Sequence, residues 1–84
     1  MKLVLIEWLD SHSGGGWQDV ERLRLAAEPL YCRSVGWLLS DGVDCKVIVP
    51  HMAGEKNGTV LLQGSGDMTI PAKAIVKLTV LRAS

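Results

Sequence analysis

His12 and His51 are the only histidines in the chain, and Asp10, Ser11 and Ser13 stand close enough to His12 to suggest a nucleophile with its base and orienter. Acyl transfer needs more than those residue types. It needs an oxyanion donor and a turn that exposes the serine, and no Gly-x-Ser-x-Gly elbow accompanies this cluster. Asp10-Ser11-His12-Ser13 is read instead as a polar turn that caps local backbone groups or faces a ligand, with no catalytic residue. Gly14-Gly15-Gly16 precedes a helical pattern, and amides at a helix start attract anions. The triplet nevertheless lacks the Lys-Ser/Thr of a phosphate loop and the spacing of a dinucleotide fingerprint. Gly64-Ser65-Gly66 suits a bulge, or a nest of amides facing an anion.

Three tryptophans and one tyrosine with no phenylalanine make an unusual aromatic set. Trp8 and Trp37 lie within apolar strand patterns and are assigned to the core. Trp17 follows the glycines at the helix start, where an exposed indole would stack on a purine base or close the end of the fold. A ligand site built on that stacking would take Asp10, Ser11, His12, Ser13 and Trp17 from one loop. Arg24 and Arg33 would meet phosphate, and Ser65, Gly66 and Met68 would close the pocket. His51 beside Pro50 is read as a solvated loop residue.

Cys32 and Cys45 carry no Cys-x-x-Cys or His-Glu-x-x-His spacing, so no metal and no cofactor is expected. Asp41-Gly42 between apolar runs is a two-residue hairpin turn that sets Cys45 opposite Leu38. Cys32 then lies roughly 20 Å along the strand, beyond disulfide reach. Two free thiols are expected.

The elements that must hold these residues follow from periodicity and turn chemistry. Lys2–Leu9 is a strand apolar on both alternations, and Trp17, Val20, Leu23 and Ala27 recur at helical spacing over Trp17–Ala27. Cys32–Leu39 and Val43–Val49 form a hairpin, Thr59–Gln63 follows the Asn57-Gly58 turn, and Asp67–Ile70 resumes an extended path. Pro71–Ala74 fits a tight helical turn and Ile75–Arg82 a closing strand. Five strands with one short helix after the first describe a mainly β fold, an antiparallel SH3-like or Sm-like barrel in one domain spanning residues 1–84. In this register Val35, Trp37 and Ile48 share one face, and Gly36, Leu38, Cys45 and Val47 the other. Both are apolar, so the outer face is expected to be covered by the helix or by a second copy, making the chain a homo-oligomer.

Composition narrows the function classes. With 84 residues and 48% hydrophobic content the chain can bury one small core. Nine basic and nine acidic residues cancel, which disfavours nucleic acid as a partner. No apolar run approaches a membrane span, and the stretch after Lys2 is too short for a secretory signal, so a cytosolic protein is expected.

Trp8-Leu9-Asp10-Ser11, Gly16-Trp17, Ser34-Val35-Gly36-Trp37-Leu38 and Met68-Thr69-Ile70-Pro71 together resemble a loose group of small proteins encoded in bacteriophage and prophage genomes. The resemblance implies a phage origin and the cytoplasm of a bacterial host. Some compact phage proteins of this size assemble into homo-oligomers that trap nucleotide-derived immune signals. By that analogy the chain is expected to sequester a cyclic nucleotide or an ADP-ribose derivative without turnover. The alternative is a structural or protein-interaction module.

Overall fold

The structure, a computed structural model, describes residues 1–58 and 61–82. It is mainly β. In chain order the elements are β1 (Leu3–Asp10), α1 (Val20–Leu25), β2 (Leu30–Asp41), β3 (Cys45–Val49), β4 (His51–Gly54), β5 (Leu61–Ser65), β6 (Met68–Pro71), a 3₁₀ turn (Ala72–Ala74) and β7 (Ile75–Val80). Five strands form an antiparallel sheet in the order β6-β3-β2-β1-β7, and β4 pairs with β5 in a separate two-stranded sheet. The five expected strands are therefore seven, because β4 forms after Pro50 where a loop was expected and Gly66-Asp67 divides another strand. Thr59 and Val60 of the expected third meander strand lie outside the described residues.

Those two breaks are the two sides of one corner. Ile48 pairs with Met68 beyond it and His51 with Ser65 on the other side, so the same register runs through Pro50 and Gly66. Proline has no N–H for the ladder, and Gly66 adopts a φ of 77° that an L side chain resists. The long β3–β4/β5–β6 hairpin bends there without losing pairing.

The inner face of the sheet carries the core. Val4 and Ile6 of β1, Ile48 of β3 and Ile70 of β6 are buried together, with Trp8, Leu38, Ala74, Ile75 and Leu78 packed around them. Val4 lies opposite Gly36, and Ile6 opposite Ser34. A Cβ at Gly36 would meet Ile48 Cβ at 3.1 Å and the Val49 backbone N at 3.2 Å. The missing side chain lets β3 close over β2.

The β2–β3 register corrects the sequence expectation. Leu38 pairs with Ile48 rather than with Cys45, Asp41 pairs with Lys46, and a bulge falls between Leu38 and Ser40. Gly42 N donates to Cys45 O at 3.1 Å, so the turn centres on Val43-Asp44 instead of Asp41-Gly42. A shift of three residues is odd and therefore exchanges faces. Ile48 joins Gly36 and Leu38 on the inner face, while Val35 and Trp37 share the outer one with Val49. Trp37 is thus a half-buried outer-face residue, not a member of the inner core. Cys32 and Cys45 stay apart in the corrected register, since Cys32 lies opposite Trp8 and Cys45 adjoins the turn at the far end of β2.

Between β1 and β2 the chain makes a long excursion. Asp19 caps α1, accepting from Arg22 N at 3.3 Å, and Glu21 in the first turn suits the helix dipole. The helix is shorter than the expected Trp17–Ala27 and buries no residue. All nineteen residues from Ser11 to Pro29 are exposed. The helix therefore does not cover the outer face, as one expectation had it. The chain has a radius of gyration of 17.2 Å where a compact domain of this length has about 12 Å.

Candidate functional site

The residues expected to form one ligand site occupy three separate places. Asp10 ends β1, half-buried, and its carboxylate accepts from Ser11 N at 2.8 Å. That bond leaves Asp10 occupied with backbone. His12 Nε2 donates to the Glu28 carbonyl at 2.6 Å, pinning the two ends of the excursion together. Ser11 and Ser13 are open to solvent beside it. Trp17 is fully exposed, at 105% of its reference surface, and is neither core nor lid.

Both arginines assigned to phosphate already have carboxylate partners. Arg24 Nη1 lies 3.0 Å from Glu21 Oε2 on α1, and Arg33 Nε lies 3.4 Å from Glu7 Oε1. Arg33 also stands over the Tyr31 ring, 5.0 Å from its centroid. Partial desolvation and the neighbouring Glu7 carboxylate push the Tyr31 phenol above its ordinary 10.0, with Arg33 pulling the other way. Glu7, Arg33 and Tyr31 lie on the outer face, in register beside one another.

Met68 faces the opposite side of the sheet. Trp8 Nε1 donates to Ser34 Oγ at 3.0 Å, and Ser34 Oγ donates to Met68 Sδ at 3.8 Å. This chain of contacts ties β1, β2 and β6 together across the inner face. Its length makes the sulfur contact a weak one. Ser34 could not be nominated from sequence, because its neighbours are fixed by pairings between distant strands.

Ser65 and Gly66 belong to a third place. Ser65 lines a cleft of about 440 Å³ on the β4–β5 hairpin with His51, Met52, Ala53, Gln63 and Gly64. His51, expected in a loop, instead opens β4 opposite Ser65. Gly66 forms the corner, where an added Cβ would meet Pro50 Cγ at 3.1 Å. The chain thus brings Ser65 and Gly66 together, holds Asp10 and His12 on backbone groups, and separates Arg33 from Met68 by the thickness of the sheet.

What the chain presents most plainly is apolar surface without a cover. Trp17, Val20 (67%), Leu23 (51%) and Leu25 (81%) lie open on the excursion, and Leu9 (39%), Tyr31 (45%) and Val35 (53%) on the outer face of β1 and β2. Among the described residues no cluster of three His, Cys, Asp or Glu is arranged to hold a metal. Among them, too, no helix is long and apolar enough to cross a membrane. No family model, characterised protein or solved structure matches the chain.

Proposed function

We propose that this chain is a non-enzymatic interaction module of phage origin, working in the bacterial host cytoplasm through the Ser11–Pro29 excursion. The carrying observation is that nineteen exposed residues include Trp17, Val20, Leu23 and Leu25, while α1 buries nothing of its own. Large apolar side chains left exposed together on one short segment suit a docking site. Asp10 and His12 support the non-catalytic reading, because each is engaged with backbone and neither is aimed at Ser11 Oγ or Ser13 Oγ. The finer fold reading is an SH3-like or Sm-like barrel. It is supported by β1 lying between β2 and β7, and by the 3₁₀ turn that joins edge strands β6 and β7 while touching β1 and β3.

Replacing residues 13–27 by a short glycine-serine linker tests this. The sheet is expected to keep its β circular-dichroism signature and melt cooperatively, because the excursion adds nothing to the core. A chain that no longer folds would make the excursion structural and end the reading.

Sequestration of a nucleotide-derived signal is the second reading, favoured by the open Trp17 indole. Stacking a base on such a ring contributes about 1–3 kcal/mol. Calorimetric titration with cyclic dinucleotides and ADP-ribose derivatives should then give heat with the wild type and roughly five- to a hundredfold weaker binding with Trp17→Ala. No heat from any member removes this reading and leaves the module.

A further inference from the structure

We infer that the partner of the excursion is a second copy of this chain, in a reciprocal two-fold exchange that seats each excursion on the partner's outer β1–β2 face. This rests on the reading of the chain as an interaction module. The first support is area. The chain exposes 6934 Å², whereas a folded monomer of 9.1 kDa exposes about 4,900 Å². The excess, roughly 2,000 Å² per chain, matches what each partner of a large obligate homodimer hides.

The second support is chemistry on both surfaces. Val20 and Leu23 share one face of α1 at three-residue spacing, and Trp17 stands open just before the helix. Leu9, Tyr31 and Val35 project from the outer face, where Leu9 pairs with Tyr31 and Leu5 with Val35. Between them Glu7 and Arg33 neutralise each other, and Lys77 on the far side of Glu7 leaves a single positive charge at the margin of the receiving surface. The whole chain is neutral, so two copies approach without repulsion. Because the excursion leaves the sheet at Asp10 and returns at Leu30, it emerges from the same end of the sheet as Leu9 and Tyr31. A two-fold axis at that end brings each excursion to its partner's receiving face. An isologous contact of this kind closes on itself.

Light scattering after size exclusion should give the wild type twice its chain mass at micromolar concentration. Val20→Asp/Leu23→Asp, on a helix that buries no residue in its own chain, should weaken self-association roughly a hundredfold. Val35→Asp should do the same from the receiving side, with Leu9→Asp replacing it should its β signature be lost. Mixing the two variants supplies the sharper readout. One intact excursion then meets one intact face, so dimer should reappear in the mixture although each variant alone is monomeric.

A monomeric wild type overturns the inference, as do variants that stay dimeric or a mixture that stays monomeric. A monomeric wild type whose linker-replaced form still folds leaves the interaction module standing with another partner. Loss of folding on linker replacement removes both.

Discussion

Gly36→Ala probes a buried place where the fold depends on a missing side chain. Gly36 is buried, and its added Cβ would press Ile48 Cβ at 3.1 Å, Val49 N at 3.2 Å and Val49 C at 3.3 Å. Two of these three atoms are backbone of a paired strand, which cannot rotate away as a side-chain tip can. Overpacking of this type costs about 1–3 kcal/mol, while the stiffer unfolded chain returns about 0.4–1 kcal/mol. At the middle of both ranges the net loss is about 1.3 kcal/mol. For a domain of this size each kcal/mol moves the melting temperature by about 4–8 °C, giving a fall of roughly 5–10 °C. Gly15→Ala is the matched control, since nothing lies within 4 Å of its Cβ position. Thermal melts followed by circular dichroism, with urea titrations to check the slope, compare the two. Equal melting temperatures for Gly36→Ala and Gly15→Ala would refute the close approach of β3 to β2 as a constraint on the fold.

Trp8→Phe and Ser34→Ala should each lose about 1 kcal/mol or somewhat more from the broken indole–hydroxyl bond. The double variant should lose less than their sum in urea titrations, since both remove one contact. Ultraviolet titration should show the Tyr31 phenolate forming above pH 10.0, and Glu7→Gln should lower that midpoint. A phenol raised in the folded state favours its protonated form, so its contribution to stability is present below the unfolded pKa. That contribution is lost as pH climbs through the folded value, which alkaline melts of wild type and Tyr31→Phe will separate. Thiol titration of the denatured protein should count two per chain, from Cys32 and Cys45.

Local chemistry made much of this fold readable. Leu3–Asp10 and the 3₁₀ turn Ala72–Ala74 fall within a residue of the expected bounds, because alternation and Pro71 act over short range. The β2–β3 register was not readable. Asp41-Gly42 carries the stronger turn signature, yet Asp41 is held in the ladder opposite Lys46 and joined to it by an ion pair. The compensating bulge near Leu39 has no distinct sequence mark. Candidate-site residues fared less well, since Arg24 and Arg33 were assigned from charge while Glu21 and Glu7 hold them. Whether such a charge is already paired depends on helix phase and on strands far apart in sequence.

The unbroken register through the Pro50/Gly66 corner bears on the order in which the chain assembles. Ile48 and Met68 are twenty positions apart, and the pairs between them and the Glu55–Gly58 turn are closer still, so this hairpin can zip from its tip without slipping past the corner. Strand β1 has the opposite problem, because Val4 must find Val80, seventy-six positions away. Closing that loop carries a larger entropic cost before any contact rewards it. Strand β1, made before the other six, therefore waits for β7, and until then Val4, Ile6 and Trp8 lack part of their cover. A chaperone meeting the nascent chain would find its apolar target on β1.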